Sequence, residues 1–119
     1  MAERLELTLP YPPGVNSLYA TVGRRRILSR KGKAFAEAVG DAVRLQPVGA
    51  RYWWGALGVR LTLYPPDRRR RDVDSPIKVL LDSLVKAGVM RDDSQVDELH
   101  VVRGPVMSPG RVDVVLEVL

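Results

Sequence analysis

The chain has 119 residues, 19 basic against 14 acidic side chains, a net charge of +5 and no cysteine. That composition excludes disulfide frameworks and thiolate zinc sites and suits a reducing cytoplasm, while 45% hydrophobic content is that of a folding sequence. With no run of about eighteen apolar residues and no signal-peptide core, the expectation is a soluble cytoplasmic protein, residues 1–119 forming one domain.

Leu5, Leu7 and Leu9 alternate with Glu6 and Thr8, which predicts a half-buried strand ended by Pro10 and a Pro12-Pro13-Gly14 turn. Asn16 follows, suited either to local turn bonding or to a polar contact. Leu18–Val22 and Ile27-Leu28 flank Gly23-Arg24-Arg25-Arg26, a small hairpin with a basic tip. Arg30, Lys31 and Lys33 extend that tip into a block of positive charge suited to phosphate contact.

Ser29 is the expected N-cap of a helix over 30–45, in which Phe35, Ala38, Val39, Ala42 and Val43 make one apolar stripe. Lys31 and Lys33 oppose the dipole in its first turn, a placement that favours binding over stability. Tyr52-Trp53-Trp54 reads as core or interface material. Leu57, Val59, Leu61 and Leu63 then predict a strand leading into Pro65-Pro66.

Ser75-Pro76 signals a helix start with Ser75 as cap. Ile77, Leu80, Leu81, Leu84 and Val85 form its buried stripe, and Gly88 its C-terminal stop. Strands are expected over Val96–Val102 and Val112–Val118, joined by a Gly104–Gly110 loop. His100, the one histidine, sits among valines, so neither a histidine metal cage nor a Ser-His-Asp triad can form. The sum is an α+β fold: one mixed sheet of about four strands with two helices packed on it.

The chemistry concentrates between residues 65 and 93. Arg68, Arg69, Arg70 and Arg71 run directly into Asp72 and Asp74. In an extended segment, side chains two apart share a side, so the two carboxylates could converge. Mutual repulsion would then be relieved by a hard divalent cation, Mg²⁺ or Mn²⁺. Acids able to hold a metal, beside arginines able to hold a polyanion, suit phosphodiester cleavage. A solvated surface charge cluster with a capping aspartate is the plainer alternative.

The pattern Asp72-x-Asp74-x-x-x-Lys78, with Pro-Asp-Arg-Arg-Arg-Arg before it and Asp92-Asp93 after a helix, resembles the RusA family of Holliday junction resolvases. Tyr11-Pro12-Pro13, Asn16 and Lys86-Ala87-Gly88 extend the resemblance over nearly the whole chain. It implies Asp72, Asp74 and Asp93 as metal-binding catalytic acids, Lys78 as a catalytic or substrate-orienting cation, a homodimer, and branched DNA as substrate. Ser75 departs from the asparagine usual in the family at that position. The 24–33 block, Arg68–Arg71 and Asn16 become the expected DNA contacts. A non-catalytic branched-DNA binder and a flap- or fork-preferring nuclease are the competing readings.

One geometric difficulty follows. Twelve helical residues span about 18 Å, and five steps from Gly88 to Asp93 reach at most about 17 Å. A single chain can unite the three aspartates only if the loop doubles straight back along the helix. A site shared across a dimer avoids that demand.

Overall fold

The computed structural model describes residues 4–46 and 54–119. Strands β1 (Arg4–Leu9), β4 (Leu57–Tyr64), β5 (Val96–Arg103) and β6 (Arg111–Val118) form a mixed sheet in the order β1-β6-β4-β5. β6 pairs antiparallel with both β1 and β4, with Leu5 opposite Leu116 and Val59 opposite Leu116. β4 and β5 are parallel, so the chain must cross over between them, and it does so through a helix.

Alternation decides which face is buried. Leu5, Leu7, Leu9, Leu57, Val59, Leu61, Leu63, Val112, Val114 and Leu116 all point to one side, and all are buried. Two helices cover that side. α2 (Arg30–Arg44) contributes Phe35, Val39 and Val43, and α3 (Ile77–Lys86) contributes Val79, Leu80, Leu81 and Leu84. Each such side chain is worth roughly 1.5–3 kcal/mol on burial, so this single layer contact dominates the stability. The expected four-stranded sheet with two helices is therefore present.

The hairpin is present too, as β2 (Tyr19–Val22) and β3 (Arg25–Leu28), although its register moves two arginines. Val22 pairs with Arg25, which leaves Gly23 and Arg24 as the tip and places Arg25 and Arg26 in the strand. A four-residue helix, α1 (Val15–Leu18), precedes it; its first turn closes when Ser17 N donates to the Gly14 carbonyl at 2.9 Å. The sequence pattern gave no period long enough to reveal α1.

Ser29 caps α2 as expected, accepting from Gly32 N at 3.0 Å while its hydroxyl donates to the Ser17 carbonyl. Gly32 is where α1 presses on α2: a Cβ there would lie 2.5 Å from the Leu18 carbonyl oxygen. The hairpin and the first turn of α2, with Lys31 and Lys33, are thus fixed to one another.

The start of α3 differs from the expectation. Ser75 makes no cap; Pro76 holds that position, and residues 73–76 form a turn in which Ser75 N donates to the Asp72 carbonyl and Ile77 N to the Asp74 carbonyl. Carbonyls of the turn satisfy donors that a serine side chain would otherwise serve. Gly88 ends α3 with φ of 86°, as expected. Trp54 is not core material: its side chain is exposed and stacks under the Arg91 guanidinium, 4.1 Å from the ring centroid. Tyr52 and Trp53 lie outside the described residues. Among the described residues no helix is long and apolar enough to cross a membrane.

Candidate active site

The segment after β4 is a loop braced from within. Asp67 accepts from Arg69 N at 2.9 Å and from Arg71 Nη1 at 2.7 Å. The same Arg71 nitrogen reaches the Asp67 and Arg69 carbonyls at 3.3 and 3.2 Å, and the guanidinium lies 5.7 Å from the Tyr11 ring centroid. Arg103, at the end of β5, donates to the Arg71 carbonyl. Pairing with Arg71 pulls the Asp67 carboxyl down to about 2, and Arg71 is raised in return. Arg71 therefore braces the loop, and it also lines the groove beside it. Arg68, Arg69 and Arg70 are exposed, and among the described residues their side chains have no ion-pair partner.

A neighbouring loop supports this one. Met107 N donates to the Pro65 carbonyl at 2.8 Å, and Gly110, at φ of 100°, passes so close that a Cβ would lie 2.8 Å from Tyr11 Cβ and 3.1 Å from Pro66 Cβ. The result is a groove of about 520 Å³ whose walls include Tyr11, Pro13, Lys31, Arg69, Arg70 and Asp72. Two basic segments separate in sequence, 24–33 and 68–71, thus meet at one groove through Lys31. Arg24, Arg25, Arg30 and Lys33 are exposed near it in the chain; Arg26 stacks on Tyr19 at 4.2 Å. Asn16 lies in α1 by its backbone, and its side chain is outside the described residues.

Asp72 and Asp74 do not sit in the extended segment that alternation assumed. Asp72 opens the 73–76 turn and Asp74 lies within it. Both carboxylates are exposed and, among the described residues, neither has a hydrogen-bond or ion-pair partner. Two unneutralised hard oxygen donors beside a basic groove are the donor chemistry that Mg²⁺ or Mn²⁺ takes.

Asp93 arrives from the opposite end of α3. The ten-residue helix is about 15 Å long, yet Lys78 Nζ in its first turn lies 2.9 Å from Asp93 Oδ2 and 3.0 Å from Asp82 Oδ1. Those two carboxylates hold the Lys78 ammonium above its ordinary value, Asp93 contributing most. The loop after α3 brings Asp93 back along the helix to Lys78 within one chain. The acids nonetheless stay apart: among the described residues no three carboxylate or imidazole side chains gather around one point. Asp93 faces Lys78, and the i, i+4 pair of Lys78 with Asp82 exists alongside.

Asp92 has a different job from its neighbour. It caps a short 3₁₀ turn, Asp93–Gln95, accepting from Ser94 N at 3.1 Å; hydrogen bonding from the Ser94 hydroxyl, and then from Ser94 N, lowers its carboxyl below the usual range. Gln95 closes the reciprocal half of the box. Asp67, Gln95, Arg103 and the Trp54–Arg91 stack were not singled out from sequence. Asp92-x-x-Gln95 is a readable capping-box signature and Asp67-x-x-x-Arg71 a readable i, i+4 pair. Arg103 has no local signal, because its contact lies 32 positions away.

Residues 10–117 match the family described as Endodeoxyribonuclease RusA. The chain is 34% identical over 109 residues to the crossover junction endodeoxyribonuclease rusA of Enterobacteria phage HK97, covering 92% of this chain and 90% of that protein. It is also 34% identical over 112 residues to the crossover junction endodeoxyribonuclease RusA of Escherichia coli K12, covering 92% and 91%, and to that of Enterobacteria phage 82 over the same length. A family match that spans the braced arginine loop, the returning Asp93 turn and three of the four sheet strands leaves one conclusion: the chain belongs to the RusA family of crossover junction endodeoxyribonucleases.

Proposed function

We propose that the chain is a Mg²⁺-dependent, structure-selective endodeoxyribonuclease that resolves Holliday junctions by paired, symmetric cuts. One observation carries the reading: Lys78 bonds Asp93 in the first turn of α3, directly after a turn that presents Asp72 and Asp74 without partners. Family membership adds the reaction class.

Asp72, Asp74 and Asp93 would hold the cation, whose Lewis acidity and power to lower the pKa of water are what phosphodiester hydrolysis needs at neutral pH. Lys78 keeps Asp93 neutralised and close until then. For Asp93 to become a ligand it must share or exchange that ammonium, which frees Lys78 to face a phosphate oxygen or the leaving oxygen. The Lys78 side chain is 69% exposed, so it is free to change rotamer in that exchange. Arg68, Arg69, Arg70 and Lys31, with Arg24, Arg25, Arg30 and Lys33 beyond them, hold the phosphate backbone in the groove, while Arg71 keeps the loop in shape. Asn16 is retained as a further contact from α1.

Phosphate contacts position a duplex without reading its bases. Selection of a four-way branch therefore falls to the spacing of two sites in a homodimer, each site built from one chain.

Asp72→Asn removes one ligand charge and nothing else. Cleavage of a synthetic four-way junction should fall by roughly 10³-fold, the loss expected from several kcal/mol of transition-state charge stabilisation. Junction binding should hold or tighten. Cleavage that survives the change refutes the assignment and leaves a DNA-binding protein. Equal cutting of forked or linear DNA by the parent protein would instead refute the junction as its substrate.

A further inference from the structure

The turn that carries Asp93 is held by two side chains: Asp92 caps it from within, and Gln95 ties it to the sheet. Gln95 Oε1 accepts from Arg91 N at 2.8 Å and from Asp92 N at 3.1 Å, while its Nε2 donates to the Gly55 carbonyl at 3.0 Å. Gly55 lies two residues ahead of β4, and Gln95 one residue ahead of β5, where Leu57 and Val96 are the first paired positions. A three-residue 3₁₀ turn has little ladder of its own; here two backbone bonds, Gln95 N to the Asp92 carbonyl at 3.2 Å and Val96 N to the Asp93 carbonyl, close it. Those bonds and the Asp92 cap shape the turn internally, while the Gln95 amide joins the turn's entry to the sheet and so sets how the turn, and Asp93 with it, sits against α3.

We propose that Gln95 is the positioning residue for Asp93, holding its carboxylate at the first turn of α3, against Lys78, from where it joins the cation site when metal binds. The inference rests on the reading of Asp93 as a metal ligand. Gln95 touches neither metal nor DNA. It acts as the outer support that a ligating carboxylate needs to be pre-oriented, and loss of such supports costs about 10–100-fold in metal affinity.

Gln95→Met keeps the side chain's length and removes its acceptor and donor. Mn²⁺ binding to the full chain, followed by electron paramagnetic resonance of the free ion, should weaken about 10–100-fold. Metal-free junction binding should stay at the parent value, the thermal midpoint should fall by only a few degrees, as loss of one cap does, and cleavage should recover as Mn²⁺ is raised. Unchanged Mn²⁺ affinity overturns the proposal. So does a fall in affinity accompanied by equal losses in junction binding and thermal midpoint, because Gln95 would then be a general structural residue. Asp93→Asn, measured in parallel, separates the two failures: if it leaves Mn²⁺ binding and cleavage intact, the ligand assignment itself is wrong.

Discussion

Two arginine-rich segments serve this molecule, and they are built differently. Residues 68–71 hang from the end of β4 on a loop tied down by Asp67, Tyr11, Arg103 and the carbonyl of Pro65. Residues 24–26 sit on a two-stranded hairpin anchored mainly where Leu18 meets Gly32. Each segment gives up one guanidinium to a tyrosine, Arg71 to Tyr11 and Arg26 to Tyr19. Only Arg71 is also buried enough and bonded enough to act as a brace, its side chain being 21% exposed. A run of identical residues is thus not a run of identical roles: what the rigid loop places is the acids behind it, and what the hairpin offers is reach.

The sharpest way to break that contrast is Arg71→Ala. The loop should lose its fold, displacing Asp72, and junction cleavage should drop about 10²-fold, as a misplacement near 1 Å can cause. Junction binding should fall much less. If Arg71→Ala behaves like Arg70→Ala, the two arginines are equivalent and the brace is not real. Next in size are the exposed arginines. Removing Arg69, Arg70, Arg24 or Arg25 singly should weaken binding to four-way and linear DNA alike, each reducing the slope of log K against log salt by about 1. The thermal midpoint should not move, and a large shift for any of them would mark it as structural.

The smallest effect is the titration of Asp67. Its carboxyl lies below its ordinary 3.8, at about 2, because Arg71 and the Arg69 amide hold the charged form. A depressed carboxyl adds stability above its ordinary value and loses it as pH falls through the folded one, so the brace should loosen between pH 3.8 and about 2. Carboxyl-carbon NMR checks this: the Asp67 midpoint should be near 2 in the parent and return towards 3.8 in Arg71→Ala. A parent midpoint near 3.8 would contradict it.

Much of this was legible in the residues. Alternating leucines in β1 and β4 and the apolar stripes of α2 and α3 announce the burial that the sheet and helices achieve. Period and burial share a cause there, so sequence suffices. Two of the candidates read from sequence, Lys78 and Asp93, meet in the structure. What stayed hidden depends on backbone detail. Whether Asp74 lies on a strand or in a turn is decided by two i, i+3 bonds to the Asp72 and Asp74 carbonyls, which no side-chain pattern encodes. The doubling back after Gly88 is driven by burial of Val89 and Met90, both fully enclosed; their apolar character was visible, but not the direction in which they pull the loop. Contacts across the sheet, such as Arg103 to Arg71, have no local signal at all.

The account stands on Asp72, Asp74 and Asp93 of one chain serving a single cation. Anomalous diffraction from crystals grown with Mn²⁺ tests that directly. The expected result is a peak within bonding distance of carboxylate oxygens from all three, about 2.0–2.3 Å away for a hard divalent ion, with Lys78 turned off Asp93. A peak completed by Asp93 from a second copy, or one that leaves Asp72 and Asp74 unliganded, would contradict it.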